Sequence, residues 1–137
     1  MDDTRLVPDI VGCKDGVIRL MAYDWRIQFQ PLDNEDDVGP DSGRCCPAEL
    51  TILLDPCTSL LFRVGSFGHE VTHALLLPVT GLLPDGVEEV ICDLIGDGLA
   101  SLLRDNTAFV HGLARAVGTI ETETDAHEET EAREAPP

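Results

Sequence analysis

Three side chains in the stretch Gly68 to Leu77, G-H-E-V-T-H-A-L-L-L, have the types and spacing to do chemistry together: His69, Glu70 and His73. On a helix, residues four apart lie one turn apart on the same face, so the two imidazoles can converge on one metal ion with Glu70 beside them. This H-E-x-x-H spacing is the layout of a hydrolytic zinc site. Neutral imidazoles suit zinc, a third protein ligand leaves a position open for water, and a free carboxylate takes that water's proton. His69 and His73 are therefore the expected ligands and Glu70 the expected general base. The plain alternative is a helix that presents two histidines and a glutamate to solvent.

Two histidines are an incomplete set, and the missing carboxylate is sought on the next helix. Glu88-Glu89-Val90-Ile91-Cys92-Asp93 contains E-x-x-x-D from Glu89 to Asp93, again one turn apart. Glu89 would complete the ligands, and Asp93 would orient a ligand histidine through a hydrogen bond. Glu88 competes, because a helical wheel puts it nearer the middle of the apolar stripe and Glu89 at its edge. Glu89 is preferred because Cys92, Gly96 and Ala100 follow it as a column of small residues, leaving room for the motif helix to approach.

The elements that must position these groups read as follows. Val17 to Leu32 alternates, with Trp25, Ile27 and Phe29 set against Arg26, Gln28 and Gln30, the signal of a half-buried strand that Pro31 closes. Asp33 to Gly43 reads as an acidic loop whose order of residues does not match a calcium-binding EF-hand. Arg44 to Pro47 and Glu49 to Asp55 read as strands, which with the Trp25 strand make a small antiparallel sheet. Thr58 or Ser59 is placed to cap a helix from Leu60 to Leu77, with Pro78 as its stop. Gly65 and Gly68 weaken that helix unless another backbone approaches closely there. After a loop from Val79 to Gly86, a second helix spans Val87 to Asn106, with an apolar stripe of Val87, Val90, Ile91, Leu94, Ile95, Leu99, Leu102 and Leu103. A short third helix is expected over Ala108 to Val117. From Gly118 onward seven acids stand against one arginine, so residues 118–137 are expected to be a disordered tail after a single domain over residues 1–117.

Composition narrows the partners. A formal charge of −17 at pH 7 would repel nucleic-acid phosphate and anionic membrane surfaces. No apolar run reaches signal-peptide or membrane-spanning length, so a cytoplasmic protein is expected. Cys13, Cys45, Cys46, Cys57 and Cys92 are odd in number and lack C-x-x-C spacing, which points to reduced thiols. Cys45 and Cys46, adjacent on a strand, would face opposite ways and could not share an ion without a bulge.

A strand ending shortly before H-E-V-T-H-A-L-L, followed by a helix that opens E-x-x-x-D and ends L-L-R-D-N, resembles the minimal zincin domains of the ImmA/IrrE-like metallopeptidases, over roughly Trp25 to Asn106. Such domains are frequent in phages and mobile elements. Thr72 stands where family members often carry glycine. The resemblance implies an α+β fold, zinc on His69, His73 and Glu89, Glu70 as general base, Asp93 as orienter, and a protein or peptide substrate. His111 would stabilise an oxyanion only if the third helix folds back over the cleft; a surface histidine is the simpler expectation. The competing expectation is a non-catalytic regulator or inhibitor that keeps the fold and engages a basic protein through its acidic surface.

Overall fold

The structure is a computed structural model that describes residues 6–32 and 42–118. The chain divides into two compact units, Met1–Ser101 and Leu102–Pro137. The first is α+β: strands β1 (Gly16–Leu20), β2 (Tyr23–Phe29), β3 (Gly43–Cys46) and β4 (Thr51–Leu54), then helix α1 (Leu60–Leu76) and most of helix α2 (Val87–Asp105). The second unit carries a further helix over residues 107–118, where the short third helix was expected. The acidic loop, except Ser42 and Gly43, and the acidic tail beyond Gly118 lie outside the described residues. Among the described residues, no helix is long and apolar enough to cross a membrane.

Two expectations about the sheet need correction. The stretch from Val17 to Leu32 is not one strand: it folds back as a hairpin, with Leu20 opposite Tyr23 across a two-residue loop in which Met21 takes φ 53°. Nor is the sheet wholly antiparallel. Its order is β1-β2-β4-β3, and β4 inserts between β2 and β3, so that it runs parallel to β2 while the two outer pairings are antiparallel. The reversal from β3 into β4 is a single 3-10 turn at Pro47–Glu49, ended by Leu50 in the left-handed region at φ 48°. Trp25 and Ile27 of β2, Ile52 and Leu54 of β4, and Ala74 of α1 form the core, with Phe67 and Val71 of α1 packed against it. Each large side chain buried there contributes about 1.5–3 kcal/mol. The face of α1 carrying those residues is thereby fixed on the central strands.

Helix α1 starts and stops where its sequence provides for it. Ser59 is the N-cap, with extended backbone and its Oγ accepting from the amide of Phe62 at 3.4 Å, which satisfies one of the donors that a helix leaves open at its first turn. Thr58, the other candidate, instead donates its hydroxyl to the Asp55 carbonyl. Pro78 closes the helix. The buried Arg63 reaches from its first turns to the carbonyls of Ile10, Val11, Pro56 and Thr58, at 2.7, 3.4, 3.0 and 2.8 Å.

Helix α2 crosses α1 through the small residues of both. A Cβ built on Gly68 would lie 3.0 Å from Leu99 Cδ2 and 3.3 Å from Gly96 Cα, and one on Gly96 would lie 2.7 Å from the Gly65 carbonyl oxygen. The close approach that Gly65 and Gly68 require is made by Gly96, and the buried residues of α2 are Cys92, Gly96 and Ala100. Of the bulky members of the expected apolar stripe, Leu99 packs at this contact, whereas Val90, Leu94 and Ile95 are exposed, Leu94 to 69 %.

Candidate metal centre

The two histidines project from the third and fourth turns of α1 toward the first two turns of α2. His69 and His73 face each other with their Nε2 atoms 3.1 Å apart. Both Nε2 atoms look at Glu89, whose carboxylate oxygens lie 3.6 Å from His69 and 3.2 Å from His73. The opposite ring nitrogens have their own carboxylates: His69 Nδ1 lies 3.1 Å from Asp93 and His73 Nδ1 lies 2.6 Å from Glu88. The structure thus brings together His69, His73, Glu89 and Asp93. It also gives Glu88 a place distinct from that of Glu89, on the far side of the His73 ring.

Proton positions follow from these partners. An ionised carboxylate only accepts, so beside an ionised Glu88 the hydrogen of their bond is on His73 Nδ1; Asp93 lies within ion-pair distance of His69 Nδ1. Glu88 is held below the usual carboxylate range chiefly by the hydrogen bond from His73. The two Nε2 atoms and the Glu89 carboxylate share one small space, within 3.6 Å of one another. A proton shared between these atoms or a cation among them would satisfy the cluster, and a cation would take both ring nitrogens and the carboxylate as donors. Ligands of a tetrahedral ion with bonds of 2.0–2.1 Å stand about 3.3 Å apart, and the separations here of 3.1, 3.2 and 3.6 Å match that edge.

Cys92 adds a donor that the sequence reading treated only as a small packing residue. Donor atoms of His69, His73 and Cys92 lie within 4.8 Å of one another, and so do those of His69, Glu89 and Asp93. These side chains can hold a metal ion. Burial, then the surrounding carboxylates led by Glu89, pushes the Cys92 thiol up to about 11, so without a cation it is protonated at neutral pH. Cys45 and Cys46 are both half-buried, and burial, with the Glu70 carboxylate next, pushes the Cys45 thiol up to about 12.

Glu70 stands between this cluster and the sheet. It is 7 % exposed, accepts a hydrogen bond from the amide of Cys45 in β3, and lies so close to Gly43 that a Cβ there would be 2.9 Å from its Cγ. The edge strand β3 therefore fixes the carboxylate, and its glycine makes the space. Burial pushes the Glu70 carboxyl above the usual range, against the pull of His69, His73 and the Cys45 amide. Thr72, in the position noted for glycine, is buried and returns its hydroxyl to the Gly68 carbonyl at 2.7 Å. His111 is exposed on the helix of the second unit. The tight His73–Glu88 bond had no sequence signal of its own beyond the position of Glu88 on the stripe.

Comparison of the chain with protein-family models, with curated proteins and with solved structures finds no match.

Proposed function

We propose that the chain is a zinc-dependent metallopeptidase of zincin type, with His69, His73 and Glu89 as ligands and Glu70 as general base. The observation that carries this reading is the pair of Nε2 atoms facing one carboxylate, with both Nδ1 atoms beside acids. Zinc held there would polarise a substrate carbonyl and make a nearby water acidic at neutral pH. Asp93 and Glu88 hold the rings in the tautomer that presents Nε2. Glu70, fixed by the Cys45 amide and raised in basicity by burial, takes a proton from the attacking water and hands it to the leaving amine. The substrate class is peptide or protein, as the resemblance to the ImmA/IrrE-like domains suggests. Glu70→Gln is the test: the variant should retain one zinc per chain while its cleavage of an unfolded protein substrate falls by about 10²–10⁴-fold. Unchanged cleavage, or a wild-type protein that takes up no zinc, would sink the reading.

A second reading, a binding protein that keeps this architecture, draws on the outward-facing Val90, Leu94 and Ile95. It requires no work from Glu70, so Glu70→Gln would leave its biological effect intact.

A further inference from the structure

Cys92 sits on α2 one turn beyond Glu88 and Glu89, at the point where the helix faces both histidines. It is wholly buried, and its sulfur lies within 4.8 Å of a donor nitrogen on His69 and of one on His73. The Nδ1 atoms of both rings are engaged by Asp93 and Glu88, which leaves the Nε2 pair for an ion. Glu89, by contrast, has 64 % of its side chain exposed. Of the groups around the imidazole pair, the sulfur is held in place by packing, whereas Glu89, like Asp93 at 68 %, is free to move. A soft sulfur donor beside two imidazoles is a donor set that selects zinc or cobalt over magnesium and manganese.

We infer that Cys92 is itself a ligand: the ion is held by His69, His73 and the Cys92 sulfur, with Glu89 as the exposed fourth donor that exchanges. This rests on the metal reading above and adds a residue to it. Binding replaces the thiol S–H bond by a sulfur–metal bond and releases the proton to solvent, so metal uptake is accompanied by acid release. The test is titration of the metal-free full chain with cobalt(II), read by absorption. The wild type should give the visible bands of tetrahedral cobalt together with a near-ultraviolet sulfur-to-cobalt charge-transfer band. Cys92→Ser should keep the visible bands and lose the charge-transfer band. A variant with Cys13, Cys45, Cys46 and Cys57 all changed to serine should keep both, which decides the matter even if Cys92→Ser does not fold. Visible bands without charge transfer in the wild type overturn the role of Cys92 and leave the metal reading standing. A charge-transfer band lost in the four-serine variant also overturns it, and no cobalt spectrum at all overturns both.

Discussion

Replacing Gly96 by alanine tests the part of the architecture on which the proposed metal centre most depends. The new methyl would lie 2.7 Å from the Gly65 carbonyl oxygen and 3.1 Å from both the amide nitrogen and Cβ of His69. The first distance is about 0.7 Å inside ordinary van der Waals contact, and all three neighbours are helix backbone or the root of the His69 side chain, so none can rotate away. The helices must separate. Overpacking of this kind costs about 1–3 kcal/mol, and the better helix propensity of alanine returns up to about 1 kcal/mol, leaving a net loss near 1 kcal/mol. The larger effect is on the metal. Glu89 is already 3.2 and 3.6 Å from the two Nε2 atoms, and functional geometry is held to within about 0.5 Å, so zinc affinity should fall about tenfold or more. Zinc competition against a chromophoric chelator and thermal melting of the metal-free protein measure the two effects separately. Gly98→Ala is the control: nothing lies within 4 Å of its added Cβ, so it should raise stability by up to about 1 kcal/mol and leave zinc binding unchanged. If Gly96→Ala holds zinc as tightly as the wild type and melts no lower, the helices are not in backbone contact and the small-residue column does not set their approach.

Two other perturbations probe the carboxylates. Glu88→Ala and Asp93→Ala should each weaken zinc binding by about 10–100-fold, by releasing one imidazole from its hydrogen bond. Glu89→Ala should cost more than Glu88→Ala; the reverse order in a chelator competition would exchange their roles. Asp55 accepts from the amides of Cys57 and Leu32, and the Cys57 bond is the main reason its carboxyl is lowered. A folded-state value below the unfolded one gives stability that is present above the ordinary carboxylate range and lost as pH falls through the lowered value. Melting curves from pH 7 downward should therefore converge for wild type and Asp55→Asn at low pH, with the wild type higher only at the upper end; parallel curves would refute this.

The limits of α1 were legible because local chemistry sets them: a serine that can cap and a proline that cannot continue. The approach of α2 was legible for a related reason, since Cys92, Gly96 and Ala100 recur every fourth residue and only a column of small side chains admits a second helix so closely. Strand direction was not legible. Alternation reports which face is buried, and β4 has the same pattern whether it runs with β2 or against it; insertion between β2 and β3 decides it. The hairpin at Met21 was hidden because a left-handed residue is ordinarily glycine or asparagine, and methionine gives no turn signal. The outward turn of Val90, Leu94 and Ile95 ran against the expectation that a helix buries its bulkiest face. Close packing of two helix backbones at Gly96 is what rotates those residues outward.

The Arg63 clasp bears on how the chain acquires this structure. Its hydrogen bonds to Ile10 and Val11 close over separations of 53 and 52 residues, and they occupy a guanidinium that is otherwise buried, with its Nε left unpaired. During synthesis the entry segment emerges well before the residue that holds it, so it docks only when α1 forms. Until that moment the base of the histidine-bearing helix carries a charge with half of its acceptors missing. A long-range contact of this kind couples residues 10 and 11 to the helix that bears both histidines.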